Sequence, residues 1–355
     1  MKTPITALGA TFLASGVPMQ ALPGGGETPL RFDNGLGEHH ATRHACGLFD
    51  FSFVGGWEFT GPQAVAHLTR LQTRDVSTLV PGQIAYTLMC RDDGSVFNDA
   101  TVWKFSDHHY WLFSGRKSDQ QWTGPDLARI DSTHAMLALQ GPNSARVLAR
   151  LIGEETIRQL GYFRFAATTL CGQSCQIGRI GYSGELGYEL IVPADAAPVI
   201  WQSLLDTGQR FGIRPCGFEA VNMLRIESGY ILFSSELTQS RLPVELGLTR
   251  LVTSTSSETR GHAALRAPLN GERRILVCVE LSEPGLNSAG PSPLALELTS
   301  TAFSPLAGRH LGLGFTRVEH SAPRTRLLCQ DGREAAVCRL PYYDSRRMRP
   351  RASPL

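Results

Sequence analysis

The fold of this chain is constrained most by a succession of predicted elements that occurs twice. A strand, a helix that begins at Gly61-Pro62 and three further strands follow one another, and the same order returns around a helix that begins at Gly141-Pro142. Proline suits the first turn of a helix, where its missing N–H has no helical partner. The repeated order indicates a duplicated α+β unit.

The strand predictions rest on apolar and β-branched runs that turn-forming residues separate. Between two such runs, Asp92-Asp93-Gly94 indicates a tight β-hairpin, because Asp-Gly readily adopts the backbone conformation of such turns. The strands of the two units are predicted at 57–60, 83–90, 95–105 and 110–114, and at 135–140, 162–169, 175–180 and 188–192. Further helices are predicted at 38–43, 118–130, 196–210 and 218–227.

Both ends of the chain differ from this pattern. Up to Gly37 the sequence holds a run of three glycines and several prolines, which predicts an irregular arm. Beyond Gly261, short apolar runs alternate with Gly, Pro and Ser turns, which is typical of a small all-β domain. Its strands are predicted at 275–281, 295–300, 311–316 and 335–340, and a linker is predicted at 282–293.

Charge and composition exclude several classes of function. The 355 residues include 34 Lys and Arg against 32 Asp and Glu, a formal charge of +2, whereas nucleic-acid binders usually concentrate positive charge. We therefore expect no nucleic-acid partner. No apolar run reaches the roughly 18 residues that a transmembrane helix needs, so no membrane association is expected.

Cysteine usage and the N-terminal segment indicate the compartment. The eight cysteines are scattered, and only Cys171 and Cys175 lie close together, which does not supply the four ligands of a zinc site. The first residues lack the dense apolar core and the small-residue cleavage site of a secretory signal. We expect reduced thiols in a cytoplasmic protein.

Asp99 is the residue of greatest chemical interest, because aspartate is depleted inside strands and this one interrupts an apolar run. Strand alternation places it on one face with Phe97, Thr101 and Trp103. Two interpretations are open. The carboxylate is either solvated at a strand end or edge, or held against aromatic walls, where it binds an N–H-rich heterocycle and takes part in proton transfer.

A second cluster lies in residues 181–189, where glycines at a spacing of three predict a tight turn between strands. The spacing differs from the phosphate-binding Gly-x-Gly-x-x-Gly pattern. The segment is either a simple glycine-rich hairpin with Tyr182 in the core, or a site where Glu189 accepts two N–H donors from one edge of a ring. The residues alone leave both interpretations open.

Other familiar catalytic motifs do not occur in the sequence. It contains no His-Glu-x-x-His zinc motif, no Gly-x-Ser-x-Gly elbow and no Walker loop. The adjacent histidines at 39–40 and 108–109 point apart on a helix or strand, so no metal site is predicted. Four arginines in the segment 346–351 form a basic tail, which is either solvated or a clamp for an anion or carboxylate.

Six motifs occur in a fixed order along the chain, and two more follow in the β-rich region. They are 47–52 (GLFDFS), 86–89 (YTLM), 98–99 (ND), 138–142 (ALQGP), 181–185 (GYSGE) and 224–229 (LRIESG), then 261–265 (GHAAL) and 300–305 (STAFSP). Together they resemble the aminomethyltransferase family of the glycine cleavage system T-protein. The motifs are specific at the level of the superfamily, which also includes folate-dependent demethylases and a folate-binding iron–sulfur assembly factor.

The resemblance implies an α+β fold in which three domains form a ring around a central folate channel. Two domains would be related ferredoxin-like α+β units, and the third a C-terminal β-barrel-like domain. Their expected limits are residues 1–50 with 136–250, residues 51–135, and residues 260–355.

The resemblance also assigns roles to site residues, with tetrahydrofolate as the cofactor. Asp99 matches the catalytic aspartate near the reacting nitrogens of the pterin, and Glu189 matches the acidic residue that binds its amino-pyrimidine edge. The remaining cofactor-binding positions are aromatic: Tyr86, Tyr182 and Tyr230 match residues that line the channel, and Trp103 stands where a tyrosine is common.

Several positions depart from the family pattern. Phe53 replaces a histidine, Val221 replaces an arginine that helps to hold folate, and the N-terminal Gly-Trp-x-Met-Pro loop is missing. Arg116, which follows the third strand, is a candidate replacement cation for the substrate or the folate tail. Phe53, Arg116 and Val221 are therefore the candidate substrate-binding positions.

The sequence thus predicts a tetrahydrofolate-dependent one-carbon transferase, a methyl- or aminomethyltransferase or demethylase that acts on a small-molecule donor. A lipoyl carrier protein is a further candidate partner. The first alternative is a non-catalytic folate-binding or iron–sulfur assembly-type protein, which residues 228–231 disfavour because they lack the cysteine of such relatives. The second alternative is a folate-free interaction module, which Val221 favours.

Overall fold

The computed structural model of the chain describes residues 6–268, 272–282 and 295–355. The α-helices are α1 (Gly9–Ala14), α2 (Gly35–His44), α3 (Ala64–Leu71), α4 (Gln120–Thr123), α5 (Ser144–Ile152), α6 (Glu154–Gln159), α7 (Ala197–Gly208), α8 (Phe218–Glu227) and α9 (His262–Arg266). Short 3₁₀ helices cover Val76–Thr78, Lys117–Asp119, Ile130–Ser132, Gln209–Phe211, Thr249–Leu251 and Val318–His320.

The strands build a mixed α+β fold with two large sheets, a small hairpin and a barrel. They are β1 (Met19–Ala21), β2 (Glu27–Pro29), β3 (Cys46–Asp50), β4 (Gly55–Thr60), β5 (Gln83–Cys90), β6 (Val96–Ser106), β7 (His109–Ser114), β8 (Ala128–Arg129), β9 (His134–Gln140), β10 (Phe165–Leu170), β11 (Gln173–Gly178), β12 (Gly187–Pro193), β13 (Ile213–Pro215), β14 (Arg274–Leu281), β15 (Ala295–Ser304), β16 (Arg309–Arg317), β17 (Arg326–Cys329) and β18 (Glu334–Cys338).

Two units of the chain share one topology. In the first, β4 and α3 precede the meander β5-β6-β7, and β7 returns to pair with β4 in the order β5-β6-β7-β4-β8. In the second, β9 and α5 precede β10-β11-β12, and β12 pairs with β9 in the order β10-β11-β12-β9-β3-β13. The sheet order confirms the duplicated unit that the sequence predicts.

The glycine of each Gly-Pro pair lies at the turn between the first strand and its helix. Gly61 and Gly141 have φ of 83° and 125°, a region that residues with a side chain rarely adopt. At Gly141 a Cβ would also lie 2.6 Å and 2.7 Å from the carbonyl oxygens of Thr42 and Ala45. The repeated sequence signal therefore has a direct steric cause.

The predicted hairpin joins β5 and β6. The Arg91 N–H donates to the Ser95 carbonyl at 2.8 Å, and Gly94 takes the left-handed backbone with φ of 79°. The ladder contains one irregularity close to the turn, because Met89 pairs with Asn98 whereas Cys90 pairs with Val96. Phe97 is thus the extra residue of a β-bulge, a feature that commonly redirects neighbouring side chains.

The two sheets pack face to face, and most helices cover their outer faces. A shared core contains Phe49 and Met136 from the six-stranded sheet and Trp103 and Phe113 from the five-stranded sheet. The indole of Trp103 lies directly on Gly178 of β11, where a Cβ would collide with the ring. Because glycine has no side chain there, the two sheets approach closely.

The barrel confirms the predicted all-β region, with the closed order β14-β16-β15-β17-β18. Hydrogen bonds made by two buried, ion-paired side chains of α8 tie the barrel to that helix. Arg225 of α8 lies 2.9 Å from the Glu236 carboxylate and donates to Ser300 of β15 at 2.7 Å. The Glu227 carboxylate accepts from Arg43 at 2.7 Å and from Ser304 of β15 at 2.6 Å. The α8 helix is therefore joined to α2 and to the barrel through polar contacts shielded from water.

Two local predictions differ from the structure, and a third falls almost wholly outside the described residues. Within 118–130, the α-helical part is α4 alone, because Gly124 adopts φ of 123° and Pro125 follows it. Ala128–Arg129 then joins the sheet edge beside β4. The N-terminal arm is not irregular, since it forms α1, β1 and β2, and Phe12 packs against Trp201. The predicted linker 282–293 falls, from 283 onward, outside the described residues.

Among the helices of the described ranges, none is both long enough and apolar enough to cross a membrane. The eight cysteines are free thiols. No group of three or more His, Cys, Asp or Glu side chains within the described part of the chain is arranged to hold a metal ion.

Candidate active site

A cavity of about 590 Å³ opens where the two sheets, α8 and the segments that follow it meet. This volume suits a small ligand or cofactor. Its wall comes from both related units, from α8, from residues 229–233 and 246–251, and from the C-terminal tail. The lining includes Phe51, Phe53, Arg74, Tyr86, Asp99, Tyr182, Glu189, Phe218, Val221, Tyr230, Arg250, Arg347 and Arg351.

Tyr86 and Asp99 form a hydrogen-bonded pair on the five-stranded sheet. The Tyr86 hydroxyl donates to Asp99 Oδ2 at 2.8 Å from the adjacent strand β5. Burial raises the pKa of Asp99 to about 6, against the opposing effect of the Tyr86 hydrogen bond, which favours the ionised form. Asp99 is therefore neither at a solvated edge nor fixed in one protonation state near neutral pH, which suits a group that exchanges protons.

Glu189 enters the same cavity from β12 of the six-stranded sheet. Its neighbours across the strands are Ala138 and Gly178, which have no polar side chain. Its carboxylate accepts no hydrogen bond from any of the described residues, and burial raises its pKa to about 7. A carboxyl group that is buried away from water and has no hydrogen-bond partner is costly to ionise. A ligand with N–H donors would supply the missing hydrogen bonds and would gain binding free energy from them.

Tyrosine side chains form another part of the wall. Tyr182 and Tyr230 stack with their ring centroids 5.5 Å apart and a tilt of 19°, and the Tyr182 hydroxyl donates to the Ile231 carbonyl. Because that hydrogen bond fixes the Tyr182 ring, the stacked pair presents a rigid flat surface. Such a surface suits a planar heterocycle or an aryl group.

Phe53 and Val221, two of the candidate substrate-binding residues, both line the cavity and are buried. Phe53 meets Phe51 edge-on at 5.6 Å and Phe218 at 6.4 Å, and Val221 lies one helical turn after Phe218 on α8. These positions, where the sequence departs from the family pattern, thus form a continuous apolar wall.

Arg116, the third candidate substrate-binding residue, is outside the lining of this cavity. Its Nε atom lies 3.0 Å from Asp119 Oδ1, its Nη2 atom donates to the Phe97 carbonyl at 3.3 Å, and its guanidinium stacks on the Phe97 ring. The charge of Arg116 is therefore already matched within the protein.

Trp103 does not line the cavity either, although it shares a strand face with Asp99. The side chain is fully buried, and its indole N–H donates to Thr101 Oγ1 at 3.2 Å. The ring fills the space between the two sheets over Gly178, deeper than the wall. Phe97 also departs from the predicted alternation, because the β-bulge lets it stack on Trp122 at 4.1 Å.

Four arginines in the lining are cations that site prediction missed or left open. They are Arg74, Arg250, Arg347 and Arg351. Within the described residues, none of the four forms an ion pair with a carboxylate. The sequence marks the tail arginines as one option for an anion clamp, whereas no motif marks Arg74 or Arg250. Unpaired guanidinium groups around a cavity indicate an anionic ligand.

The comparisons with known proteins agree with this architecture. The sequence profile of the GCVT N-terminal domain matches residues 12–256. The aminomethyltransferase of Symbiobacterium thermophilum is 32% identical over 370 residues, with 97% of each chain covered. The aminomethyltransferase of Streptomyces coelicolor is 32% identical over 367 residues, which covers 95% of this chain and 97% of that relative.

Among solved structures, the glycine cleavage system aminomethyltransferase T from Bartonella henselae has the same fold. The TM-score is 0.80 at 23% sequence identity, over 96% of this chain and 98% of that one. The duplicated units and the barrel give this chain the mixed α+β fold of that protein. The chain belongs to the aminomethyltransferase family of the glycine cleavage T-protein.

Proposed function

We propose that the cavity binds tetrahydrofolate and catalyses the transfer of a one-carbon unit between this cofactor and a small-molecule donor. The observation that supports the proposal most is the placement of two carboxyl groups with raised pKa in one cavity, each from a different sheet. Asp99 has a hydroxyl partner, whereas Glu189 has none within the described residues.

The residues fit the cofactor at both of its ends. An amino-pyrimidine edge offers two adjacent N–H donors, which match the two oxygens of the unpartnered Glu189 carboxylate. The carboxylates of the folate tail match the unpaired arginines of the lining, with Arg347 and Arg351 on the tail of the chain and Arg74 and Arg250 on another part of the wall. Tyr182 and Tyr230 supply the flat surface against which a ring can stack.

Asp99 is the residue to which we assign proton transfer. When bound, tetrahydrofolate would supply the nucleophilic nitrogen to which the donor passes its one-carbon unit. The Asp99 carboxylate, with a pKa of about 6, is mostly ionised at pH 7 and accepts the proton that this nitrogen releases. The Tyr86 hydroxyl holds the carboxylate in place, and the proton is then available to the departing group.

The donor is expected to contact Phe53 and Val221. Both side chains are apolar and belong to the wall formed with Phe51 and Phe218. This wall offers no charged partner for a donor, since Arg116 is held by Asp119. A donor whose leaving group is uncharged and apolar would gain from burial there.

Binding and turnover test the proposal separately. Calorimetry with tetrahydrofolate is expected to give saturable binding, because the cavity offers partners for the pterin edge and the tail. Incubation with methylated amines, sulfonium compounds and aryl methyl ethers is expected to yield methyltetrahydrofolate, because transfer keeps the oxidation level of the methyl group. A parallel incubation uses an aminomethyl group on a lipoyl carrier protein, from which transfer would give methylenetetrahydrofolate and ammonia. Mass spectrometry of the folate pool measures the product.

The possible outcomes separate the alternatives. Product formed with the lipoyl carrier alone would contradict the small-molecule donor but not the transferase. Saturable binding without product from any donor would favour a non-catalytic folate-binding protein. Absence of binding would overturn the proposed function and favour an interaction module of the same fold.

A further inference from the structure

The backbone around Asp99 lacks part of the usual sheet support. Strand β7 ends at Ser114, which pairs with Ala100, so among the described strands β6 has no partner on that side from Asp99 towards Val96. On the other side, the β-bulge at Phe97 interrupts the ladder two residues before Asp99. Asp99 keeps its pairing with Leu88 of β5 and the hydrogen bond from Tyr86, so on the open side of β6 its backbone is supported by contacts other than a strand.

Asn98 supplies the first of these contacts. The Asp99 backbone N–H donates to Asn98 Oδ1 at 2.9 Å, and Asn98 Nδ2 donates to Asp119 Oδ2 at 2.6 Å. Asn98 and Asp119 are both fully buried. A carboxylate accepts only from the amide nitrogen, so Asp119 orients the Asn98 amide and leaves its oxygen facing the Asp99 N–H.

Asp119 also links the end of β7 to the β-bulge at Phe97. Ser114, the last residue of β7, donates through its hydroxyl to Asp119 Oδ2 at 2.7 Å. The Arg116 guanidinium, 3.0 Å from Asp119 Oδ1, donates to the Phe97 carbonyl at 3.3 Å. One buried carboxylate therefore connects the end of β7, the bulge and the residue that precedes Asp99.

We propose that Asp119 is a positioning residue, which acts through Asn98 and Arg116 to aim the Asp99 carboxylate into the cavity. The inference rests on the proposed function for the role of Asp99. Asp119 makes no contact with the ligand in this proposal and does not line the cavity.

Electrostatics give this arrangement a measurable signature. The charged and titratable groups around Asp99 are Tyr86 from β5, Asp119 and Arg116 from the segment after β7, and Tyr182 from the turn after β11. The negative charge of Asp119 contributes to the raised pKa of Asp99, while Arg116 opposes it. Removing the charge of Asp119 should therefore lower the pKa of Asp99.

The test compares Asp119→Asn with Asp131→Asn in the full-length protein. Asp131 is also a buried carboxylate of the five-stranded unit. It pairs with Arg129 at 2.5 Å and with Lys117 at 3.6 Å and accepts from the Gly56 N–H, so its partners differ from those of Asp119. For Asp119→Asn we expect kcat to fall about 10- to 100-fold, since misplacing a catalytic group costs up to this much. The KM for tetrahydrofolate should change less than about threefold, and the acid limb of the pH profile should move to lower pH.

A direct titration makes the proposal independent of turnover. Carbon-13 NMR of labelled aspartates, with the Asp99 signal assigned by its loss in Asp99→Asn, should show a lower midpoint in Asp119→Asn than in wild type. A shifted midpoint in a protein without turnover would retain the positioning role and reject the proposed function. An unchanged midpoint with unchanged kcat would reject the positioning role alone.

Asn98→Ala provides a second variant if Asp119→Asn does not fold. It removes the amide link while leaving the charge of Asp119, so kcat should fall without the same shift of the acid limb. Equal losses of kcat in Asp131→Asn and Asp119→Asn would mean that general destabilisation explains the effect, which would overturn the proposal.

Discussion

The two related units carry their acidic residues on different strands and in different surroundings. In the five-stranded unit, Asp99 lies on the middle strand of the meander beside a bulge, with Tyr86 and a buried polar network around it. In the six-stranded unit, Glu189 lies on the last strand of the meander among apolar neighbours. The same topology thus supports one carboxyl group that the protein has already positioned and one that only a ligand can satisfy.

The largest expected effect is on turnover by Asp99→Asn. If Asp99 transfers the proton, the amide cannot replace it, and kcat should fall about 10²- to 10⁴-fold, the usual contribution of general acid–base catalysis. Tetrahydrofolate affinity should stay within a few-fold, because an amide still accepts the Tyr86 hydroxyl. Steady-state kinetics and calorimetry measure the two quantities.

Asp107→Asn is the matched control for this variant. Asp107 is an exposed carboxylate at the far end of the β6–β7 hairpin, where it pairs with Lys104 at 2.8 Å. It should leave kcat unchanged. Wild-type turnover in Asp99→Asn would remove the distinction between a catalytic carboxyl group and a binding one.

Glu189→Gln is expected to have a smaller effect, and to weaken the binding of tetrahydrofolate rather than turnover. The glutamine side chain offers one acceptor and one donor group, whereas the amino-pyrimidine edge of the cofactor presents two N–H donors. One charge-assisted hydrogen bond is therefore lost. Such bonds contribute about 1.5–3 kcal/mol, which corresponds to a roughly 10- to 100-fold weaker Kd for tetrahydrofolate. At saturating cofactor, kcat should be close to that of wild type.

Calorimetry on Glu189→Gln and Asp99→Asn side by side sharpens the comparison. We expect one variant to lose affinity and the other to lose turnover. A tetrahydrofolate Kd for Glu189→Gln equal to that of wild type would show that the pterin edge binds elsewhere.

The smallest effect concerns stability in the absence of ligand. Burial raises the pKa of Glu189 from 4.5 to about 7, so its contribution to stability is fully present below pH 4.5 and is lost as the pH rises through 7. Glu189→Gln avoids this loss. We expect the variant to be more stable than wild type at pH 8 by about 1–3 kcal/mol, a value reduced by the solvent in the cavity, and nearly equal at pH 4.5.

Urea unfolding at the two pH values measures this difference, with Glu155→Gln as the control. Glu155 is exposed on α6 and accepts from the Gln159 amide at 2.6 Å. Its variant should show no pH-dependent gain. No gain at pH 8 in Glu189→Gln, as in the control, would mean that Glu189 is solvated in the free protein, and an equal gain in both variants would point to a general charge effect.

Much of the architecture follows from local chemistry and is therefore readable in the sequence. The Asp-Gly turn, the Gly-Pro helix starts and the strand runs act within a few residues of one another. Asp99 and Glu189 attract notice because carboxylates are unfavourable in strands that are otherwise apolar. From these features the duplicated units, the all-β region and two residues that line the cavity could be predicted.

The features that sequence reasoning missed depend on distant contacts. Whether Trp103 faces a ligand or a neighbouring sheet depends on Gly178, which is 75 positions away and carries no recognisable motif. Arg116 is unavailable as a cation because of Asp119, and Arg74 lines the cavity only through the packing of the whole chain. Strand alternation failed at Phe97 because a bulge leaves no clear trace in residue types.

The contact of Trp103 with Gly178 acts as a spacer between the two sheets. Asp99 belongs to one sheet and Glu189 to the other, so neither sheet alone determines how far apart these two carboxyl groups lie. That separation follows from the thickness of the core between them, which an indole lying on a bare backbone sets. The width of the ligand site is therefore specified by a pair of residues that no ligand touches.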